Sequence, residues 1–445
     1  MEQSARRWGA GLTRQKEILP WEPQFAVSAA REGDKLDRLF PRRDDAKVSH
    51  VPAAEAAQLA QDIRDDILSS LSRNNRIIGA RNPMVGGYRD GVWRYPDNGY
   101  FWTDSFYTGE LWLAYMVTGQ SEFRNFARMR ITHLERLLQT PLWLSHDLGF
   151  LYSLSAVADF KLTRSAEARR LALQAADALR ARFNWAGNYL LAWTADGQSS
   201  EHAALVQGKM IIDSVQNLPL LLWAHEETGI QSYRDVALRH ADSLAQHIVR
   251  PDFSTYHTFD FDPASGQPVT GRTWQGRSDE SCWSRGQAWA IHGYAQMAEI
   301  TGDLRFHDLA MKLADFALAQ MGADPVPVWD YRLPEGAEPY KDSSAGSITC
   351  AGLFTIADIC QRTSDADKAD HYRDAALRML GGLRDHHDLT GDPSAQGLLS
   401  GGASDVPRAE RSDAPYLTDA MLPYGDYYYF EAVLRALGHR EFFWH

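Results

Sequence analysis

From Ala54 onward the chain carries two kinds of helical pattern that take turns. Residues 55–73 (EAAQLAQDIRDDILSSLSR) set apolar side chains at three- and four-residue intervals, which predicts an amphipathic helix. After it one phrase recurs: an apolar helix, a short polar turn, then a one-faced helix rich in Ala and Arg. Copies lie at 111–134, 152–179, 218–244, 287–318 and 349–380, with a half copy at 427–442. The turns hold Thr118-Gly119, Thr163, Thr228-Gly229, Thr301-Gly302, Ser364 and Gly438. First helices such as LPLLLWAH are apolar nearly all round and suit an inner ring. Second helices such as YRDVALRHADSL are clearly amphipathic and suit an outer ring.

Repeated helix pairs mean a solenoid or a closed toroid. A solenoid needs short, regular connections. Here long aromatic- and Gly-rich stretches at 80–103, 184–210, 250–286, 322–347 and 385–426 each precede the first helix of a pair. They would gather on one end of a ring. With the opening helix there are about six pairs. The expected fold is therefore all-α, an (α/α)6 barrel formed by residues 54–445, with the long loops building a cleft on one end. Residues 1–53 are polar and weakly periodic and read as an arm.

Composition narrows the partners. The 445 residues carry 46 Lys and Arg against 58 Asp and Glu, a net charge of −12. That disfavours nucleic acid and anionic membrane surfaces. No run long and apolar enough to span a bilayer is evident. The three cysteines form no CxxC pair, so neither a zinc knuckle nor a redox motif is expected, and no metal or cofactor is called for. The N-terminus has charges but no apolar leader, which makes a cytoplasmic location the expectation; a trimmed periplasmic chain would look the same. Oligomeric state, monomer or dimer, leaves no signature. Fourteen tryptophans exceed what a core usually needs, and flat rings suit a sugar cleft.

Candidate chemistry sits where loops enter first helices. GxGxxG, P-loop, HExxH and GxSxG motifs are absent. Present instead are WTDSFYTG (102–109), SHDLGF (145–150), KMIIDSVQN (209–217), TWQG (273–276), SRGQAW (284–289), KDSSAG (341–346) and YGDY (424–427). Helix capping accounts for Asp279, Asp342 and Asp426. Asp147 and Asp213, each ahead of an apolar helix, are harder to reduce to caps. Burial would raise their pKa, as a general acid near neutral pH requires. Arg285 either pairs with a cap carboxylate such as Asp279 or grips a substrate carboxylate. His257, Trp102, Trp193 and Trp289 fit core or sugar subsite alike.

Together these phrases resemble the unsaturated glucuronyl hydrolases, glycoside hydrolase family 88. The likeness runs from about Trp102 to Ala345 and returns at GDYYYFEAVLR. It implies removal of a Δ4,5-unsaturated uronic acid from the non-reducing end of lyase-generated oligosaccharides, by hydration of the C4=C5 enol-ether bond. By motif, Asp213 would be the general acid and Asp147 the second carboxylate. His146, His257 and Gln275 would line the subsite. Arg285 would hold the uronate carboxylate with Trp289 beside it, and Trp102 and Trp193 would stack on sugar. Tyr424 stands where the family commonly has Trp, and Trp274 where it often has His. The loop Leu399–Asp405 lacks the family's lysine, and 407–423 reads as an insertion. Rival expectations are an unsaturated rhamnogalacturonyl hydrolase, a sugar 2-epimerase and a non-catalytic carbohydrate-binding toroid. The epimerase needs paired histidines, which are not evident; the toroid would lose one acid, and both are present.

Overall fold

The computed structural model describes residues 52–444, except 88, 98, 196–198, 413 and 415–416. These residues fall within one unit, His50–His445. The arm expected at 1–53 lies almost wholly outside the described residues.

Two concentric rings of helices carry the repeat. The inner ring comprises Phe106–Thr118, the run 148–163, the run 212–228, Ser284–Thr301, Ser343–Arg362 and Pro423–Ala436. The outer ring comprises Ala53–Ile78, the broken pair Ser121–Arg128 and Ile131–Leu138, Ala166–Arg180, Gln231–His247, Leu304–Met321 and Ala366–His386. The opening helix is longer at both ends than its periodicity predicts. Each inner helix packs on the next, and the last packs on the first, so the ring closes. This is the expected (α/α)6 barrel. Inner helices are enclosed on every side, which is why their sequences show no polar face. Ser343–Arg362 is apolar and long enough to cross a bilayer by composition alone, yet its apolar window is wholly buried in the barrel.

The recurrent turns share one chemistry. Thr118, Thr228 and Thr301 donate their hydroxyls to Ala114, Ala224 and Met297 carbonyls at 2.6, 2.6 and 2.5 Å. Each hydroxyl also accepts the amide two residues on, at 3.2 Å. The following glycine takes a left-handed φ near +70°, ending the helix where an L side chain would strain. Arg164 and Ser364 adopt that conformation without glycine.

The long loops gather on the opposite end, and among the described residues they hold eight short strands that the helical periodicity did not predict. Strands β1 (Val85–Gly87), β2 (Val92–Arg94) and β8 (Ala420–Met421) pair antiparallel in the order β2-β1-β8. Strands β3 (Phe183–Asn184) and β4 (Tyr189–Leu190) form a small ribbon. Strands β5 (Lys209–Ile211), β6 (Thr258–Phe261) and β7 (Pro268–Arg272) form the sheet that feeds the third inner helix. The expected insertion starts within a short helix, Val406–Arg411, capped by Asp405. All three cysteines are buried and unpaired.

A buried polar cluster ties the inner ring together. Glu431 accepts from His292 at 3.1 Å, Arg435 at 2.9 Å and Trp444 at 2.9 Å. His292 also lies 3.0 Å from Gln216, which accepts from Tyr428 at 3.0 Å. Burial works against the Glu431 charge, but Arg435 and the hydrogen bonds outweigh it and hold the carboxyl at about 2. Glu431→Ala would leave Arg435 buried without its main partner. The expected cost is roughly 3–5 kcal/mol, read by urea unfolding. A loss below about 1 kcal/mol would show the pair to be dispensable.

Candidate active site

Two carboxylates meet at the mouth of the barrel. Asp147 ends the loop ahead of Leu148–Tyr152, and Asp213 lies in the first turn of the 3-10 stretch Ile212–Asn217. Both are nearly buried, at 6% and 7% exposure. Burial raises Asp147 to about 7, against hydrogen bonding from Ser145 and the charge of Arg182. Burial raises Asp213 to about 8, and the Asp147 charge pushes it further the same way. Ser145 donates to Asp147 at 2.9 Å. Asp213 Oδ1 is buried and has no hydrogen-bond partner. A carboxyl held in that state is a proton donor awaiting an acceptor.

The proximity of the two acids depends on one glycine. A Cβ on Gly149 would sit 2.2 Å from the Asn217 Cα. Only glycine lets these two helix starts approach so closely. Asn217 then joins them. It accepts from the Phe150 amide at 2.6 Å and donates towards the Asp213 carbonyl at 3.3 Å.

Two histidines stand behind the acids, each with its tautomer set by a neighbour. His257 Nδ1 accepts from the Trp274 and Gln275 amides at 3.2 and 3.3 Å. Its Nε2 therefore carries the proton and points to Asp213 at 3.9 Å. Burial lowers this imidazole to about 3, so it is neutral. His146 Nδ1 faces the Asn217 amide at 3.4 Å, which leaves its Nε2 3.4 Å from Asp147. Burial also holds His146 well below its ordinary value.

The expected aromatic residues divide. Trp102 is half-buried and stacks on Tyr424 at 5.0 Å. Trp193 is half-buried and stands edge-on to His146 at 5.9 Å. Trp289 has no exposed surface; its ring packs on Phe150 and Tyr424 as the floor beneath the site. Trp112, Trp329 and Trp444 are likewise core. The surplus of tryptophan thus serves the interior as well as the cleft. Tyr424 is itself buried and feels both Arg285 and Asp213.

Arg285 is paired, with a partner other than Asp279. It donates to Asp342 at 2.6 Å and to the Ala403 and Ser404 carbonyls at 2.7 Å each. Its guanidinium lies between Trp283 and Tyr424, 4.5 and 5.2 Å from their ring centres. Asp342 caps Ser343–Arg362 through the Ser344 and Ala345 amides, as expected. The capping assignment is corrected for the other two. Asp426 accepts from the Leu398 and Leu399 amides of a distant loop, and Asp279 from the Thr273 amide. Both hold loops rather than helix starts. Gln275 donates to the Ser404 carbonyl at 2.8 Å, so the 399–405 loop, Gln275 and Arg285 form one wall.

Ser145 and Asn217 lie in phrases marked as candidate chemistry but were given no role there, and Arg182 was not marked at all. Arg182 donates to the Leu144 and Leu191 carbonyls and to Thr194, each at 3.0 Å, fixing the strands of loop that carry His146 and Trp193. Nothing local in the sequence marks it. Among the described residues no three His, Cys, Asp or Glu side chains gather as a metal set. A cavity of about 700 Å³ bounded by Arg94, Lys341, His387 and Asp419 lies on the loop end but touches neither acid.

An α/α barrel with paired acids at its mouth is a glycoside hydrolase scaffold, and similarity to known proteins gives the family. No family model matches the chain. It is 40% identical over 376 residues to the unsaturated glucuronyl hydrolase of Bacillus sp. (strain GL1), covering 83% of this chain and 94% of that protein. It is 35% identical over 395 residues to the unsaturated chondroitin disaccharide hydrolase of Streptococcus pneumoniae, covering 88% and 96%. The crystal structure of the Bacillus enzyme superposes with a TM-score of 0.79 over 86% of this chain and 98% of that one, at 37% identity. A substituted Streptococcus agalactiae enzyme solved with dGlcA-GalNAc6S gives a TM-score of 0.73 over 92% and 96%, at 28% identity. The chain belongs to the unsaturated glucuronyl hydrolase family of glycosidases.

Gly149→Ala should separate the two acids. The expected outcome is a fall in kcat of at least about tenfold with the helical circular dichroism retained. Unchanged kcat would mean that the helix starts can part without moving Asp147.

Proposed function

We propose that the chain removes a Δ4,5-unsaturated uronic acid from the non-reducing end of short oligosaccharides by hydrating the C4=C5 bond. The observation that carries this reading is Asp213: a buried carboxyl raised to about 8, with one oxygen unpartnered and a second acid beside it. The enol-ether π pair takes the Asp213 proton at C4. Positive charge then develops at C5 and the ring oxygen. Water adds to C5 and returns a proton to the Asp213 carboxylate. The resulting hemiketal opens by breaking the bond from C5 to the ring oxygen, and the exposed hemiacetal at C1 releases the aglycone alcohol.

Asp147, ionising first, keeps a negative charge next to the developing cation and helps hold the Asp213 proton until it is needed. The His257 and His146 Nε2–H groups are neutral donors for carboxylate or hydroxyl oxygens in the pocket. No anomeric displacement occurs, so carboxylate spacing does not decide retention or inversion. A uronate carboxylate would meet the Arg285 edge that the Ala403 and Ser404 carbonyls now hold, beside Tyr424. Acidic oligosaccharides of the kind named for the relatives are the substrates proposed here. A cytoplasmic location fits products imported as short oligosaccharides.

Asp213→Asn should lower kcat at least about a hundredfold, read as the rate at which the conjugated C4=C5 chromophore disappears. Wild-type rates would sink the assignment. The same variant should melt higher than wild type above pH 8. The folded carboxyl binds its proton more tightly than the unfolded one, so its contribution to stability is full at low pH and is lost as pH rises through about 8.

The alkaline limb of kcat/KM should also follow Asp213 and fall as pH rises through about 8. Asp147→Asn removes the like charge that raises Asp213, so in that variant the limb should move to lower pH. A limb that stays in place would detach Asp147 from the proton transfer.

A further inference from the structure

Trp274 is an exposed ring beside this site, and the chemistry above does not use it. It is 40% exposed, in a loop tied down on both sides of it. The Thr273 amide bonds Asp279 at 2.7 Å, the Trp274 and Gln275 amides bond His257, and the Gln275 side chain bonds the Ser404 carbonyl. Its ring lies flat on Trp193, with centroids 4.4 Å apart and planes within 3°. Trp193 in turn stands edge-on to His146. The stacked pair therefore bridges the two histidines that back the two acids. Trp193 covers one face of Trp274, so the exposed area of Trp274 belongs to its other face and edge.

The open face of an indole on a pinned loop is a flat apolar platform with a polar N–H at its edge, the kind of surface on which a pyranose can lie. The same stacking covers one face of Trp193. We propose that Trp274 is the specificity-determining residue of the aglycone subsite: the sugar that leaves meets Trp274, with Trp193 as backing. This rests on the function proposed above. The face of an aromatic ring is the negative side of its quadrupole. It accepts the C–H face of a pyranose and disfavours an anionic group at that point. The aglycone class is accordingly a neutral pyranose presenting a C–H face.

The test compares two substrates on the full chain. One is an unsaturated glucuronyl disaccharide with a neutral hexose aglycone; the other is the methyl glycoside of the same unsaturated uronic acid. Trp274→Ala should raise KM for the disaccharide about two- to tenfold and leave its kcat within about twofold. For the methyl glycoside kcat/KM should hold within about twofold, because no sugar reaches Trp274. Trp274→Phe keeps a ring and should recover most of the disaccharide KM, even if the alanine variant folds poorly. Equal losses on both substrates in the phenylalanine and alanine variants would overturn the proposal, since Trp274 would then act through His257. So would wild-type constants on both. Wild-type protein inert towards both substrates is a different result: it overturns the proposed function and this subsite together.

Discussion

The structure depends on keeping two carboxyl groups nearly out of water at the mouth of a closed ring. Neither acid has a cation in contact. Each is held against apolar inner helices, and the cost of charging it there is what shifts its titration towards neutrality. A closed barrel suits that purpose. Its inner helices have no outward face, so a carboxyl placed at their starts borders packed side chains on most sides and opens to solvent on one. The interlock of Gly149 with Asn217 brings Asp147 close enough that Asp213 feels its charge. The neutral histidines add donors to the pocket without adding positive charge.

The architecture was legible because it is periodic. The same helix, turn and helix phrase recurs along the chain, and its Thr-Gly turns repeat one hydrogen-bonding scheme at Thr118, Thr228 and Thr301. Burial follows from that pattern too, so Asp147 and Asp213 stood out as acids ahead of apolar helices. What escaped were bonds between residues far apart in sequence. Asp426 serves the amides of 398–399, Arg285 finds Asp342 and the 403–404 carbonyls, and Gln275 reaches Ser404. A side chain that bonds a remote backbone needs no particular residue at the far end, so such a bond leaves no motif. The short strands escaped for a related reason, since two or three residues in a ladder are too few to show alternation.

The two ends of the barrel divide labour. At one end brief turns close helix pairs with local hydrogen bonds, and little there faces a ligand. At the other end each loop contributes a separate wall: 101–104 with Trp102, 143–147 with the first acid, 189–194 with Trp193, 255–275 with His257 and Trp274, and 399–405 over Arg285. Trp102, Trp193 and Trp274 sit on loops, while Asp213 and Arg285 sit in the first turns of inner helices, so the stacking rings can vary without disturbing the part that moves protons. The departures at Trp274 and the lysine-free 399–405 loop fall in the loops, whereas Tyr424 stands at the start of the last inner helix.

The contact between Gly149 and Asn217 also constrains how such a site can change over time. A larger residue at 149 is tolerated only if the backbone at 217 withdraws, and that backbone leads directly from Asp213. Neither helix start can drift on its own. No exchange of side chain at 217 makes room for a Cβ at 149, so lineages of this fold should keep glycine there, and a laboratory library randomised at 149 should return almost nothing but glycine.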